Sequence, residues 1–320
     1  MHAILLNHFG GPEHFRLGTV HDPVPGCGDL LLRVEATSVN PIDVKIRSGA
    51  VPALAPDLPA ILHGDVVGRV EAVGCGAGDW KIGDRVWGCA GGFKGLGGAL
   101  AEFMIADARL VARAPENLPL EQAGALPIVG VTAWLAVIER GQVGPGQRIL
   151  IHGAAGGVGH VALQLAKLAG AHVTATVSSE TKAALARQLG ADAVVIGRTA
   201  PESSFDLVID TIGGSNLENT FRQIVPGGTA VTIAARTTAD LSPLHAKSAT
   251  FHAVFMALPL LTGKGRETIG SILHTLTDLV QAGRLRPWID QVFPMSQVAA
   301  AHQRLESGQA TGKIVLVADW

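Results

Sequence analysis

Nine residues, HGAAGGVGH at 152–160, hold four glycines and two alanines between two apolar runs. Upstream, QRILI (147–151) has the compactness of a short buried strand; downstream, Val158, Val161, Ala162, Leu165 and Ala169 recur at helical spacing until Gly170 stops the run. Few local patterns constrain a chain more than strand, glycine turn, helix. A helix that starts at Gly157 presents unpaired N–H groups and the positive end of its dipole, so the turn stabilises an anion such as a pyrophosphate. Any side chain beyond a methyl would block its approach.

The flanking texture gives this unit its context. From about residue 123, apolar strands alternate with amphipathic helices: RILI, VGHVALQLAKLAG, HVTATV, ETKAALARQLG, AVVI, FDLVID, SNLENTFRQIV and TAVTIA. That alternation predicts an α/β fold with a doubly wound parallel sheet, whose ligands lie beyond the carboxyl ends of the strands. Residues 1 to about 122 differ. Gly and Pro break them into short β-branched segments such as LLLRVEATSV (30–39) and DVVGRVEAVG (65–74), which predicts a strand-rich, barrel-like unit. The last portion, with helices near 266–282 and 296–306 and a strand at KIVLV (313–317), has a different texture again and could rejoin the first unit.

Bulk properties exclude several functions. At 320 residues, 48% hydrophobic and 16% charged, the chain fills two domains with well-packed cores. Lys plus Arg number 25 against 27 Asp plus Glu, a net charge of −2 with no basic block, so nucleic acid is a poor partner. The N-terminal apolar run, Ala3 to Leu6, is too short for a signal peptide. The stretch near 251–261 contains His252 and Pro259 and falls short of a membrane span of about 20 residues. These features predict a cytoplasmic protein without a membrane segment. Cys27, Cys75 and Cys89 are odd in number and form no CxxC pair, which argues for small buried thiols over a disulfide framework or a structural zinc lobe.

Ala154, Gly156 and Gly159 have the spacing of the dinucleotide fingerprint, with alanine in the first glycine's place, and predict cofactor contacts from Ala155, Gly156, Gly157 and Val158. An acidic residue about 20 positions on would hold a ribose 2′-hydroxyl and select NAD. This chain has Ser178 and Ser179 there, with Lys182 one turn further and Glu180 as the dissenting acid. Two hydroxyls and an ammonium suit a 2′-phosphate. One charge-assisted bond of roughly 1.5–3 kcal/mol favours NADPH about ten- to hundredfold. In the alternative reading the serines cap the helix at 180–189 and the lysine is solvated.

The runs LPIVGVTAW (126–134), GQRILIHGAAGGVG (146–159), LGAD (189–192), FDLVIDTIGG (205–214) and GKIVL (312–316) together resemble the zinc-independent, zeta-crystallin-like quinone oxidoreductases of the medium-chain dehydrogenase/reductase superfamily. The likeness extends from NPIDVKIRSG (40–49) to the C-terminus. It implies a GroES-like β-rich catalytic domain from 1–122 and 262–320, a Rossmann dinucleotide-binding domain at 123–261, NADPH as cofactor, and a homodimer joined through edge strands at FHAVFMAL (251–258). Arg198, Ala234, Arg236, Phe255 and Met256 follow later strands of that domain, near the adenine or the nicotinamide and substrate. Ile212 and Lys313, in FDLVIDTIGG and GKIVL, complete the expected cofactor set. His152 and His160 flank the turn and read as packing or surface residues.

Zinc-dependent members of the superfamily carry a cysteine ligand where this chain has Asn40, a His-Glu pair at Gly64 and Asp65, and a third ligand within LPIVGV (126–131). Only Asp65 keeps a carboxylate, and His63 is one position off, so the resemblance implies no metal. Without a Lewis acid the substrate must already be electrophilic, as quinones and α,β-unsaturated carbonyls are. Asn40 and Thr132 are the first candidates for holding the acceptor and the developing charge on its oxygen, followed by Asp43 and Lys45. For Asp43 the competing reading is an ion pair with Arg47 one turn on. Lys45 stands where many relatives have a tyrosine; the related enoyl-thioester reductases use that tyrosine, and this chain contains none. Reduction of alkenals or enones, or NADPH binding without turnover in a crystallin-like role, are the alternatives to quinone reduction.

Overall fold

The computed structural model describes all 320 residues, which divide into two compact units. The α/β unit comprises Val129–Met256 with Arg284–Arg286, and the β-rich unit comprises Met1–Ile128, Ala257–Gly283 and Pro287–Trp320.

The α/β unit holds one six-stranded sheet: β1 (Arg148–His152), β2 (His172–Val177), β3 (Ala193–Ile196), β4 (Phe205–Asp210), β5 (Ile224–Thr232) and β6 (Thr250–Ala253). Every pair is parallel and the order is β3-β2-β1-β4-β5-β6. Ile149, Leu150 and Ile151 in the central β1 are fully buried, as a strand covered on both faces requires. On one face Leu150, Phe205, Val208, Leu217, Phe221 and Ile224 form a single cluster. Phe221 also meets Phe251 edge-on at 5.2 Å; truncating such a buried ring to alanine costs about 3–5 kcal/mol. The chain winds outward through β2 and β3, then returns to start β4 on the other side of β1. That reversal opens a crevice at the carboxyl ends of β1 and β4.

The β-rich unit holds a seven-stranded sheet that runs Ile289–Pro294, Lys313–Val317, Asp29–Val39, Asp65–Val73, Arg85–Cys89, Val111–Arg113, with Phe103–Asp107 also paired to Asp29–Val39. A smaller sheet joins Phe15–Thr19, His2–Leu6 and Ala60–Ile61. Alternation explains the long strand: Leu30, Leu32, Val34 and Ala36 are buried, while Arg33 and Glu35 point outward and pair across to Glu71 and Arg69. The C-terminal strand Lys313–Val317 lies antiparallel to it, Ile314 facing Val39. Both ends of the chain therefore build one sheet.

Two expectations need correcting. Cys27 and Cys75 form a disulfide, and only Cys89 is free and buried. The reason is tertiary: pairing of Leu30 with Val73 zips the two strands to their ends and brings the turns at 26–29 and 74–77 together, with Gly28 N–H donating to the Cys75 carbonyl at 2.7 Å. The second is that the chain holds a longer apolar segment than the stretch near 251–261. The helical run Leu120–Arg140 is long and apolar enough to cross a membrane, but 72% of its apolar window is buried within the protein, which makes it a core element.

His63 and His302 are fully buried in the β-rich unit with their Nε2 atoms 2.9 Å apart, so one ring donates to the other. Phe15 packs edge-on against His302. Burial pushes the His63 imidazole down to about 3, helped by Lys313; burial, His63 and Arg47 hold His302 well below its ordinary value. In the unfolded chain both rings titrate near 6.5 and take up protons that the folded protein refuses. Stability is therefore complete above about pH 6.5 and falls as pH drops, by up to about 1.4 kcal/mol per pH unit for His63 down to about pH 3, with His302 adding in the same direction. The variant His302→Gln removes one of these protons. Urea unfolding at pH 7 and pH 5 is expected to give a smaller acid loss for the variant than for the parent.

Candidate active site

The glycine turn leaves β1 at its carboxyl end. Gly153 takes a left-handed backbone (φ +68°), the Ala154 N–H bonds the Thr176 carbonyl on β2, and the helix Gly157–Leu168 starts from Gly156. A Cβ at Gly159 would lie 2.1 Å from the Gly153 carbonyl oxygen and 2.8 Å from the Ala154 Cα, so only glycine lets helix and turn close on each other. Ala155 is buried, whereas Gly156, Gly157 and Val158 are half-buried and keep the helix start open to a ligand. The first-turn N–H groups lack intrahelical acceptors and face that opening.

The next loop, after β4, is built on Asp210. Its fully buried carboxylate accepts from the Ile212 and Gly213 N–H groups at 3.0 Å, from Asn216 Nδ2 at 2.9 Å and from the Thr232 hydroxyl at 3.3 Å. Thr211 Oγ donates to the His152 carbonyl at 2.7 Å. Ile212 is thereby set beside Gly153, half out in solvent. Ser178 follows β2 and is exposed, Ser179 caps the helix Glu180–Gln188, and half-buried Lys182 lies on its first turn. Exposed Arg198 follows β3, Ala234 and Arg236 follow β5, and exposed Phe255 follows β6. All these positions lie past the carboxyl ends of parallel strands. Thr132 is 6% exposed on the helix Pro127–Trp134 of the same unit.

In the β-rich unit a second cluster forms at the carboxyl end of Asp29–Val39. Asn40 starts the helix Pro41–Arg47, and the Asp43 carboxylate accepts its backbone N–H at 2.7 Å. The Asn40 amide spans two opposite charges: Nδ2 donates to Asp65 Oδ2 at 2.8 Å, and Oδ1 accepts from Lys313 Nζ at 2.5 Å. Asp65 also accepts from Ser38 Oγ at 2.5 Å and from the Ile128 N–H at 2.7 Å. Asn40, Asp43, Asp65 and Lys313 are all at most 3% exposed. Burial pushes the Asp43 carboxyl up to about 7 against the pull of the Asn40 N–H, and neighbouring Asp65 raises it further. Burial lowers the Lys313 ammonium, with Asp65 and Asp43 opposing.

The comparisons with known proteins come to one answer. Residues 26–116 match the alcohol dehydrogenase GroES-like domain, and residues 189–316 match the family described as zinc-binding dehydrogenase. The human quinone oxidoreductase is 31% identical over 99% of this chain and 98% of its own. The chain belongs to the quinone oxidoreductase family of the medium-chain dehydrogenase/reductase superfamily. Among solved structures, an alcohol dehydrogenase superfamily protein from Novosphingobium aromaticivorans matches with a TM-score of 0.94 and 36% identity over 100% of both chains. A mycobacterial relative complexed with NADPH matches with a TM-score of 0.87 and 30% identity over 99% of both. The protein is thus an oxidoreductase with a nicotinamide cofactor. The glycine turn fits that group, because Gly159 lets the turn close on the helix while Gly156, Gly157 and Val158 leave the helix start open.

Family membership also sorts the sequence candidates. Asn40, Asp43 and Lys313 converge; Lys45 does not, since it lies exposed about 200° around the same short helix from Asp43. The alternative partner for Asp43 is ruled out, because the buried Arg47 pairs with Glu306. Lys313 turns inward to Asn40 and the Val39 carbonyl (3.0 Å), away from solvent. His152 is a packing residue, buried between Thr176 Oγ and Gln223 Oε1. Sequence reasoning missed Asp210 and Ser38 and passed over Asp65 as a leftover. The acid that closes FDLVID just before a Thr-Ile-Gly-Gly turn was a usable signal for Asp210; Ser38 had none.

The name of one matching family implies zinc, and the donor set does not fit it. No three His, Cys, Asp or Glu side chains converge as a metal centre. Cys89 pairs with Asp65 across the strands, but burial and that carboxylate push its thiol up, away from the thiolate a metal needs. An ammonium is in hydrogen-bond contact with Asn40, where a zinc-dependent relative has a cysteine.

The glycine turn yields a direct test. Gly159→Ala forces the helix away from Gly153, and the dissociation constant for the reduced nicotinamide nucleotide, read by calorimetric titration, is expected to rise at least about tenfold, the loss of roughly one charge-assisted bond.

Proposed function

We propose that this chain is an NADPH-dependent quinone reductase that transfers hydride without a metal ion. The observation that carries this reading is the donor set around Asn40: an amide, an ammonium and two carboxylates, with no group of metal-ligating side chains. Such a site cannot polarise an unactivated carbonyl as a Lewis acid does. It suits an acceptor whose added charge spreads by itself, as in the diolate of a reduced quinone. The full-length likeness to quinone oxidoreductases supports the same acceptor class.

The nicotinamide nucleotide would supply hydride from its C4. The protein's share is binding, orientation and a proton. Ala155, Gly156, Gly157 and Val158 receive the pyrophosphate on the helix start, with Ile212 as a lateral wall. Ser178, Ser179 and Lys182 take the 2′-phosphate; Ser179 both caps its helix and leaves Ser178 exposed for that role. Arg198, Ala234, Arg236 and Phe255 extend the cofactor site past β3, β5 and β6. Thr132 orients the nicotinamide, and Lys45, exposed on the solvent face of its helix, would contribute positive charge toward the oxygen on which charge develops. Asn40 holds Asp43 and Asp65 in register, and Asp43, whose burial keeps it protonated up to about pH 7, donates to the reduced oxygen. Lys313 acts from within the Asn40 cluster. A cytoplasmic homodimer, paired along residues 251–258, is the assembly that goes with this reading.

Consumption of reduced nucleotide is measured with 1,4-benzoquinone, 9,10-phenanthrenequinone, 2-hexenal and a plain ketone, each with NADPH and NADH and with a chelator. Quinone turnover that prefers NADPH and ignores the chelator is expected, and Lys182→Ala should cut the NADPH preference by about ten- to hundredfold. Turnover of 2-hexenal alone would make the protein an enone reductase, and binding without turnover of any acceptor would make it a nucleotide-binding protein. In the pH profile, kcat should fall as pH rises through about 7, where Asp43 loses its proton, and Asp43→Asn should abolish that limb.

A further inference from the structure

The cluster around Asn40 contains more charge than an ordinary core. Asp43, Asp65 and Lys313 are at most 3% exposed, and isolated buried charges are retained only where partners compensate them. Lys313 begins the C-terminal strand, one residue before the Ile314–Val39 pair, which drops its side chain beside Asn40. Two of its N–H groups donate, to the Val39 carbonyl and Asn40 Oδ1, and the ammonium forms an ion pair with Asp65 Oδ2 at 3.6 Å. This arrangement dictates the Asn40 amide. With Oδ1 against an ammonium and Nδ2 against a carboxylate, the flipped amide would oppose a donor to a donor and an acceptor to an acceptor. The space that would admit a cation between Asn40 and Asp65 already holds one, covalently attached to the chain.

We propose that Lys313 is the fixed internal cation of this site, a positioning residue whose ammonium neutralises the Asp43–Asp65 pair and locks the Asn40 amide, and so performs the charge balance of a metal ion while excluding one. Its role extends the reading of Asn40 and Asp43 as active-site residues and rests on it. Besides Lys313, the charged or titratable groups near the two carboxylates are Cys89, opposite Asp65 on the neighbouring strand, His63, which precedes Asp65 by two residues, and the buried Arg47, one turn from Asp43 on the same helix, whose guanidinium is paired with Glu306. The Cys89 thiol has no cationic form, burial keeps the His63 imidazole neutral, and the Arg47 charge is taken by Glu306. Lys313 is thus the cation in direct contact with the Asn40–Asp65 cluster and not engaged by an acid outside it.

The test uses the full chain, with Lys313→Met to remove the charge at nearly constant length and Lys313→Ala to open space for a small cation. The parent protein is expected to purify with far less than one zinc per chain and to keep its Tm in chelator. In Lys313→Met, Tm should fall, kcat should drop at least about tenfold with the nucleotide Kd within about twofold, and the descending pH limb should move to higher pH as Asp43 loses its countercharge. In Lys313→Ala, ethylammonium should restore Tm and kcat, and ethanol at the same concentration should not. Stoichiometric zinc in the parent protein, a parent-like pH profile in Lys313→Met, equal rescue by ethanol, or no rescue by ethylammonium would each overturn the proposal. If Lys313→Ala does not fold, the pH profile of Lys313→Met decides. Zinc content and Tm need no acceptor, so failure of the quinone reading would be seen separately from failure of this one.

Discussion

The antiparallel pairing of Lys313–Val317 with Asp29–Val39 is the constraint on which the β-rich unit depends. It joins residues nearly 280 positions apart, so the chain must close a very long loop before the pairing contributes anything; closure entropy grows only slowly with length, which makes this arrangement affordable. Once made, the pairing does two things. It inserts the last strand between Ile289–Pro294 and Asp29–Val39, and it delivers a lysine into the core beside Asn40. Sheet register and site geometry are here one event: a shift of one residue would turn the Lys313 side chain to the opposite face.

The α/β unit depends on a different economy. Its strands pair in parallel and its helices cover both faces, so the polar ends of the strands are left to loops, and those loops need internal anchors. Asp210 anchors the loop after β4 with one carboxylate and four donor groups, and the left-handed Gly153 with the close approach at Gly159 anchors the loop after β1. Thr211 ties the two together through the His152 carbonyl. The phosphate-type turn is therefore rigid before any ligand arrives, which lowers the entropy lost on binding.

Much of this was legible in the sequence, for reasons that also define where legibility stops. The periodicity of QRILI, of the helix from Gly157 and of the helix from Glu180 depends on local geometry, and the structure has β1 at Arg148–His152 and helices at Gly157–Leu168 and Glu180–Gln188. The helix at Val298–Glu306 and the strand at Lys313–Val317 were equally readable, but their partners were not. The resemblance puts Lys313 among the cofactor contacts, and nothing local foretells that its ammonium lies 2.5 Å from Asn40. The His63–His302 pair, separated by 239 residues, and the disulfide between Cys27 and Cys75 have the same origin. Side chains that meet through strand pairing leave no trace in spacing. An odd cysteine count concealed a real pair because Cys89, fixed in the core by its own strand, was the odd one.

The buried cluster also clarifies what Asn40 can do. An amide has two N–H groups and one carbonyl, and here the carbonyl is taken by Lys313, one N–H by Asp65, and the other lies 3.4 Å from the Ser38 carbonyl, too long for a strong bond. Asn40 is thus saturated toward the charges and holds at most one weakly used donor. Asp43 is the opposite case: its carboxylate accepts one backbone N–H, and burial leaves it holding a proton near neutrality. In this cluster burial outweighs the single backbone donor of Asp43, so that carboxyl keeps its proton up to about pH 7. Asp65, with Ser38, Asn40 and Ile128 donating to it, is the anchor, and Asp43 is the group with chemistry to spare. A lysine, an asparagine and an aspartate arranged in this way satisfy one another and leave the second aspartate with a single backbone donor.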